Sequence, residues 1–259
     1  MNAPLVAAKG LHKHFGAVVA ADSVTVEIAH GETVGIIGAN GAGKTTFVNM
    51  VTGYLKPDEG VILFRGVDIT QMPPREVTRL GIRRSFQVAQ LFPNLSVRDN
   101  VLVALACAEQ TQPALTGILR TPARLVQANE ILVRIGVEGF ADRPTPELSQ
   151  GQRKLLDIAL AMVGRSAVLL LDEPTSGVSA QEKLPLMNLV MEAVAAESAA
   201  VLFVEHDMEV VERYAPRVIA FYEGRVIADG TPAAVLADAD VKRYVVGAEL
   251  HRRTEGVRA

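Results

Sequence analysis

The sequence predicts an α/β fold in which a strand-rich core is interrupted by a mostly helical block. Short, continuous apolar runs such as 33–38 are typical of strands buried on both faces of a parallel sheet. Between about residues 88 and 165 the apolar spacing becomes helical. A glycine-rich loop at 38–45 stands between a buried strand and an apolar segment that looks helical. Together these three observations indicate a sheet with helices packed around it.

The composition limits the class of protein. The chain has 259 residues, enough for a sizeable core and for one or two domains. It is 49% hydrophobic, yet no apolar run approaches the roughly 18 residues that a membrane-spanning helix needs. The start lacks the layout of a secretory signal, the net charge is −3, and Cys107 is the single cysteine. We therefore expect a soluble, cytoplasmic protein that does not bind nucleic acid and reaches a membrane through partners.

The strands are predicted from two patterns. "SVTVEI" alternates with period two, and the other segments are short apolar runs bounded by turn residues. The predicted strands lie at 23–28, 33–38, 61–65, 167–171, 200–204 and 218–222. Glu223-Gly224 and then "RVIADG" follow the last strand, a pattern that predicts a β-hairpin.

The helical block contains two predicted helices. The first has apolar residues at helical spacing, and Gly136 is its expected C-terminal cap: Leu125, Ala128, Leu132 and Ile135. A loop is expected at 137–147, where two prolines block a helix. The second helix should run through a similar apolar set: Leu155, Ile158, Ala159 and Met162.

The first chemical motif is "GANGAGKT" at 38–45, which matches G-x-x-x-x-G-K-[ST]. Its glycines allow successive backbone N–H groups to face one anion, and the helix N-terminus adds partial positive charge. Lys44 can reach the β- and γ-phosphates of a nucleotide, and the Thr45 hydroxyl can ligate Mg²⁺. The motif therefore predicts a nucleotide site.

A pair of carboxylates follows the apolar run that ends at Leu171. In parallel sheets, ligands lie beyond the carboxyl ends of the strands. Asp172 is placed to hold Mg²⁺ directly or through water, because this ion prefers carboxylate and phosphate oxygens. Glu173 is then close enough to polarise a water for in-line attack on the γ-phosphate.

A third motif, "LSQGQ" at 148–152, lies shortly before the "LLLDE" strand at 169–173. Ser149 and Gln152 form a capping-box pattern ahead of a helix, which is another place with free N–H groups and an aligned dipole. The segment resembles the signature sequence of ATP-binding-cassette (ABC) ATPases. Three further positions resemble motifs of that family in the same order: Phe15 in "HKHFGAV", Gln87 in "RRSFQ" and His206 in "VLFVEHD".

The resemblance implies a fold and a set of site residues. The expected fold is a P-loop NTPase (RecA-like) core at 1–87 and 166–259 with an N-terminal antiparallel β subdomain, and an inserted α-helical signature subdomain at 88–165, forming one ABC ATPase domain over 1–259. The implied catalytic residues are Glu173, His206, Gln87 and Lys44. The implied Mg²⁺ ligands are Thr45, Gln87 and Asp172. The implied ATP contacts are Phe15, Gly38, Asn40, Gly41, Ala42, Gly43, Lys44, Thr45, Thr46, Ser149, Gly151 and Gln152.

The resemblance also implies partners. In this family two cassettes pair head to tail, so Ser149 and Gly151 would serve the ATP of a second ATPase subunit, in a homodimer or a heterodimer. Membrane-spanning permease subunits, and through them a periplasmic solute-binding protein, complete an importer. The chain would then lie on the inner face of the cell membrane.

The segment "LGIRRSFQVAQLFPNLSVRDNVLVA" at 80–104 resembles the Q-loop region of the ATPase subunit of branched-chain amino acid importers. "VTGYLKPDEGVILFRGVDIT" and "RVIADGTPAAVLAD" show the same resemblance, which covers nearly the entire chain. Importers of urea, amides or aromatic acids stay open as alternatives, and an exporter ATPase or a soluble ABC ATPase is less favoured. Family members commonly carry an Asp where this chain has Ser179. The resemblance therefore leaves open whether the two ATP sites communicate in this protein as they do in other family members.

Overall fold

A computed structural model describes residues 3–85, 91–109, 119–164, 166–195 and 198–247. The strands are β1 (Val6–Phe15), β2 (Val18–Ile28), β3 (Thr33–Gly38), β4 (Glu59–Phe64), β5 (Val67–Asp68), β6 (Ile82–Ser85), β7 (Val168–Asp172), β8 (Ala200–Val204), β9 (Arg217–Tyr222) and β10 (Arg225–Gly230). The helices are α1 (Lys44–Val51), α2 (Pro74–Leu80), α3 (Val97–Ala108), α4 (Pro122–Arg134), α5 (Gln150–Met162), α6 (Ala180–Ala195), α7 (Met208–Tyr214), α8 (Pro232–Ala237) and α9 (Ala239–Val241), which continues as a π-helical turn over Lys242–Val246.

The strands form two sheets. The larger has the order β10-β9-β3-β8-β7-β6 and is parallel except for the hairpin of β9 and β10. The smaller is antiparallel, with the order β2-β1-β4-β5. The predicted parallel sheet and the expected antiparallel N-terminal sheet are therefore both present. Since the parallel strands β3, β7 and β8 end at the same edge, the residues that follow them are brought together there.

The core lies on both faces of the larger sheet, as the continuous apolar runs predict. Alternate residues of one strand enter different clusters: Leu170 packs with α1 and the antiparallel sheet, whereas Leu169 and Leu171 pack with helices α5 to α8. A third cluster fills the space between α3, α4 and α5. The helical block therefore has a core of its own, joined to the sheet through α5.

Local signals explain most helix and turn boundaries. Gly136, at φ +69°, ends α4 with hydrogen bonds from Gly136 N to Val133 O and from Val137 N to Leu132 O. This is the Schellman pattern, and it confirms the predicted cap. Glu223 and Gly224 both have positive φ, at 46° and 78°, as the tight turn between β9 and β10 requires. The predicted loop at 137–147 contains two short 3₁₀ turns.

None of the helices in the described parts of the chain has the length and apolar character needed to cross a bilayer.

Candidate nucleotide site

The loop that follows β3 curls back on itself before α1 begins at Lys44. Gly43 has φ +100°, and a Cβ there would lie 2.6 Å from the carbonyl oxygen of Ala20. Only glycine combines this backbone angle with such a close approach to β2. Gly224 N donates to Ala42 O at 3.0 Å, so the turn between β9 and β10 also holds the loop.

The start of α1 is open toward solvent. Its N-cap is Gly43, which has no side chain to accept a hydrogen bond from the N–H groups of the first turn. Thr45 is exposed, Thr46 is half-buried, and Asn40 and Gly41 are exposed on the loop. The first N–H groups of a helix have no intrahelical acceptor and carry partial positive charge. This end of α1 therefore suits an anion such as a phosphate.

Lys44 is buried, with 6% of its surface exposed, and its ammonium lies inside the curl of the loop. Nζ donates to Gly38 O at 2.6 Å and to Ala39 O at 3.0 Å. The loop carbonyls thus hold a positive charge beside the open end of α1. Two sources of positive potential converge where the sequence predicts the phosphates.

Asp172 is the last residue of β7 and is 4% exposed. Arg84 of β6 donates from Nη2 to Asp172 Oδ2, and from Nη1 to Asn49 Oδ1 on α1. This buried guanidinium therefore joins β6, α1 and the end of β7. The ion pair compensates the burial of the Asp172 carboxylate, which would otherwise be costly. The sequence motif gave no sign of this pairing.

Glu173 and His206 follow the adjacent parallel strands β7 and β8 and meet at the sheet edge. Glu173 Oε1 lies 2.9 Å from His206 Nε2, which is a hydrogen bond if this ring nitrogen carries the proton. Glu173 has φ +49°, in the left-handed region, and its N–H donates to Val204 O at 3.0 Å. A non-glycine residue held in this region is typical of functional sites.

Sequence reasoning missed another buried carboxylate at this edge of the sheet, Glu205. Its Oε1 accepts from Thr175 N at 2.9 Å and from Thr175 Oγ1 at 2.7 Å, and its Oε2 accepts from His206 N at 3.1 Å. Glu205 therefore fixes the loop after Glu173 against the segment that carries His206. An acid at the end of the apolar run 200–204 was the signal that could have found it.

The residues of "LSQGQ" lie at the start of α5. Ser149 Oγ accepts from Gln152 N at 3.3 Å, and Gln152 Oε1 accepts from Ser149 N at 2.9 Å, which confirms the predicted capping box. Ser149 is exposed and Gly151 is half-buried. These groups face solvent at the helix end, where a second molecule can reach them.

Of the two other predicted site residues, Phe15 and Gln87, the structure describes only Phe15. Phe15 ends β1 with 52% of its surface exposed, and Lys13 Nζ lies 5.8 Å from its ring centroid. An exposed ring of this kind is available for stacking on a base. Gln87 lies outside the described residues.

Mg²⁺ fits the donor set at the sheet edge. Among the described residues no group of three or more His, Cys, Asp or Glu side chains could hold a metal alone. Mg²⁺ usually needs only one or two carboxylates, together with phosphate oxygens and water. The Asp172 carboxylate, at the end of β7, and the Thr45 hydroxyl, in the first turn of α1, are groups of this kind, so these residues fit the ion.

Comparison with known proteins decides the family. A family profile described as "ABC transporter" matches residues 21–176. The chain belongs to the ABC transporter family. It is 36% identical to the high-affinity branched-chain amino acid transport ATP-binding protein LivG of Salmonella typhimurium, over 95% of this chain and 99% of that protein. It is 32% identical to BraF of Pseudomonas aeruginosa, over 95% of this chain and 99% of the relative.

Solved structures show the same fold. The ADP conformation of MJ1267, an ATP-binding cassette of an ABC transporter, superposes with a TM-score of 0.83 at 30% identity, covering 93% of this chain and 98% of that one. The dimeric post-hydrolysis state of the cassette MJ0796, bound to ADP and Pi, gives 0.75 at 27% identity, over 88% and 98%. The predicted ABC nucleotide-binding fold is confirmed.

Family membership establishes the activity in general terms. The chain is the ATP-binding subunit of an ABC transporter, an ATPase whose hydrolysis is coupled to transport. It works with permease subunits, through which it associates with the membrane, and it pairs with a second cassette.

Proposed function

We propose that this chain hydrolyses ATP to drive an importer of branched-chain amino acids. One observation carries the chemistry: Glu173 and His206 meet at 2.9 Å at the edge where the phosphate loop and Asp172 also lie. The names of LivG and BraF, which match 95% of the chain, support the solute class. They also favour a transport role over the soluble alternative, and the resemblance of residues 80–104 to importer ATPases favours import over export.

The phosphate loop and α1 bind the ATP phosphates. Backbone N–H groups of the loop and first turn surround the anion: Gly38, Asn40, Gly41, Ala42, Gly43, Lys44, Thr45 and Thr46. Lys44, held at Gly38 O and Ala39 O in this structure, turns its ammonium to the β- and γ-phosphates when they compete for it. Phe15 stacks on the adenine.

Thr45, Asp172 and Gln87 would hold Mg²⁺. When bound, this ion neutralises developing charge on the phosphate oxygens. Arg84 fixes Asp172 Oδ2, so the carboxylate has one orientation relative to α1.

Glu173 acts as the general base for an attacking water. As the water oxygen bonds to the γ-phosphorus, its proton passes to the Glu173 carboxylate and the bond to the β–γ bridging oxygen breaks, giving ADP and phosphate. His206 orients the Glu173 carboxylate through its ring nitrogen and, with Gln87, contacts the reacting γ-phosphate and water. Lys44 stabilises the charge that develops on the phosphate oxygens.

The signature residues Ser149, Gly151 and Gln152 bind the ATP of the opposed cassette. Ser149 is exposed and Gly151 and Gln152 are half-buried at the start of α5, a position that suits a contact made between subunits. The two cassettes close on two ATP molecules and separate after hydrolysis. This cycle drives the permeases between their inward-facing and outward-facing states. The opposed cassette is a second copy of this chain or a different ATPase chain, and a periplasmic solute-binding protein delivers the solute.

We assign residues 1–87 and 166–259 to the ATP-binding core and 88–165 to the signature subdomain of one cassette. The separate apolar core between α3, α4 and α5 supports this division. The assembly places the chain on the cytoplasmic face of the cell membrane.

Glu173→Gln tests the chemistry. The change removes the base while keeping shape, so turnover should fall by about a hundredfold or more. ATP binding should persist, with a stable ATP-bound dimer seen by size-exclusion chromatography. Glu212→Gln, on an exposed face of α7, is the matched control and should hydrolyse ATP normally. Normal hydrolysis by Glu173→Gln would show that another group is the base.

The solute is tested in the reconstituted transporter. Leucine, isoleucine and valine should stimulate its ATPase activity, and urea, amides and aromatic acids should not. Stimulation by one of the latter alone would reassign the solute without changing the enzyme chemistry.

A further inference from the structure

Lys154 is a buried cation on α5, the signature helix that begins after Ser149, and the proposed mechanism gives it no role. It lies five residues after Ser149 and is 4% exposed. Lysine is among the residues least often buried, because its charge is costly to remove from water. Burial lowers the pKa of Lys154, while the nearby carboxylates of Asp157, Asp172, Glu205 and Glu173 act in the opposite direction. A charge kept here against this cost points to a role.

The ammonium of Lys154 reaches the catalytic strand. Nζ donates to the backbone oxygen of Asp172 at 3.2 Å. That oxygen belongs to the peptide group joining Asp172 to Glu173, and the N–H of the same group donates to Val204 O at 3.0 Å. One peptide is thus held at its oxygen by α5 and at its nitrogen by β8.

The orientation of this peptide sets the direction of the catalytic side chain. Glu173 has φ +49°, a conformation that a non-glycine residue keeps only when its surroundings hold it. Without the bond from Lys154, only the bond from Glu173 N to Val204 O holds this peptide, and its carbonyl can rotate toward a more favourable angle. The Glu173 carboxylate would then leave its place beside His206.

A second contact joins α5 to the same segment. A Cβ on Gly177 would lie 2.6 Å from Oε1 of Gln150, the first residue of α5. The helix therefore touches the chain just after the carboxylates as well as at Asp172. Any shift of α5 is passed to the segment between Asp172 and Gly177.

We propose that Lys154 is a positioning residue that makes the orientation of the Glu173 carboxylate depend on the position of the signature helix α5. ATP bound by the partner cassette contacts Ser149 at the start of α5, and Lys154 carries that contact to the base of this chain's own site. The proposal rests on the function proposed above, since it assigns Glu173 as the base and Ser149 as a partner contact.

Lys154→Met tests the proposal, because methionine keeps the unbranched apolar stem as far as Cε but has no group that can donate to Asp172 O. We expect kcat to fall about tenfold to a hundredfold, as for other small misplacements of a reacting group. ATP affinity, measured by fluorescent-nucleotide titration, should stay within about threefold of the unchanged chain. Lys154→Arg, which keeps a charged donor, should recover part of kcat.

Lys56→Met is the matched control. Lys56 also donates from Nζ to a backbone oxygen, that of Met72, and burial likewise lowers its pKa. It contacts none of the described residues assigned to catalysis, so kcat and ATP affinity should both be retained. If urea unfolding shows that Lys154→Met does not fold, Lys154→Gln replaces it. The glutamine side chain is one bond shorter than that of lysine, so its amide does not reach the Asp172 oxygen.

Glu173→Gln is measured beside these variants to separate the two proposals. An inactive Glu173→Gln with normal kcat in Lys154→Met overturns the role of Lys154 alone. A loss of ATP affinity as large as the loss of kcat overturns it too, because the residue then supports the whole site. Full activity in Glu173→Gln overturns the proposed base and this inference with it.

Discussion

Helices α1 and α5 both begin at a glycine-containing motif proposed to contact ATP, yet they begin in opposite ways. α1 starts after Gly43, whose φ of +100° brings the loop against β2, and no side chain caps it in the described structure. α5 starts with Ser149 and Gln152 bonded to each other in a complete capping box. One helix end is left for a ligand to complete, and at the other the capping box already satisfies the N–H groups of Ser149 and Gln152.

The difference indicates how the two ends work. At α1, phosphate oxygens accept hydrogen bonds from the first N–H groups, for which the chain provides no side-chain cap. Nucleotide binding and the stability of the loop are therefore coupled. At α5, the helix is fully formed before any partner arrives. It therefore presents a fixed surface, and a partner's ATP has little helix ordering to provide there.

The largest expected effect is that of Gly43→Ala at the open end. A Cβ at 2.6 Å from Ala20 O, on a left-handed backbone, should lower the free energy of unfolding by about 2–4 kcal/mol. ATP affinity should fall with it, because the loop must move away from β2. Urea unfolding and nucleotide titration measure both quantities.

Gly66→Ala is the control for this change. Gly66 has a similar φ of +80°, but a Cβ there meets no atom within 4 Å. We expect a cost of about 1 kcal/mol and unchanged ATP affinity. An equal cost at both glycines would mean that the contact with β2 does not shape the loop.

A smaller effect is expected for Ser149→Ala at the capped end. Loss of the hydroxyl acceptor should cost about 1 kcal/mol in unfolding free energy. Ser96→Ala, at the start of α3, removes the same kind of cap, on Asp99 N, and should cost a similar amount. Only Ser149→Ala should also lower ATP turnover, with binding to the isolated chain retained. Equal turnover in both variants would limit Ser149 to capping.

A still smaller effect, which depends on pH, is expected at the capped start of α3. The hydrogen bond from Arg120, followed by that from Ser96, lowers the pKa of Asp99 in the first turn of α3. Since the folded-state pKa lies below the unfolded value near 3.8, the carboxylate stabilises the fold above that value. The contribution is lost as the pH falls through the folded-state pKa.

Asp99→Asn should therefore be less stable than the unchanged chain at pH 7, and the difference should shrink below about pH 4. Urea unfolding at several pH values measures it. A difference that stays constant down to pH 3 would exclude the carboxylate as its source.

The smallest effect is expected at Ser179, which precedes α6. Its Oγ donates to Glu182 Oε2 at 2.6 Å within the same chain. The serine thus has a local role at the start of a helix, and we expect Ser179→Asp to change stability by less than about 0.5 kcal/mol. The cooperativity of ATP hydrolysis should also be unchanged. A change in cooperativity would show that this position links the two ATP sites.

Features set by neighbouring residues were predictable from the sequence. The capping box of α5 depends on Ser149 and Gln152, three residues apart, and the end of α4 depends on Gly136. The buried strands followed from continuous apolar runs. β1 was missed as a separate strand, because "VAAKGLHKHF" mixes polar and apolar residues around Gly10, which has φ +57°.

Contacts between distant elements were not predictable in the same way. The pair of Arg84 with Asp172 joins residues 88 positions apart, and Lys154 and Glu205 gained their roles only when α5 and β8 packed beside β7. Each is a charged side chain whose burial is acceptable only with a specific partner. Patterns of apolar residues hold no information about that partner.

Strand β3, which leads into the phosphate loop, has β8 and β9 as its two neighbours in the sheet. The turn after β9 also bonds the loop, through Gly224 N to Ala42 O, and bonds β2, through Asp22 N to Gly224 O at 2.8 Å. During synthesis, the ribosome therefore releases the ATP-binding loop long before the strands that fix it. A nascent chain cannot complete its nucleotide site until about residue 225 has emerged, which delays ATP binding until the cassette is nearly whole.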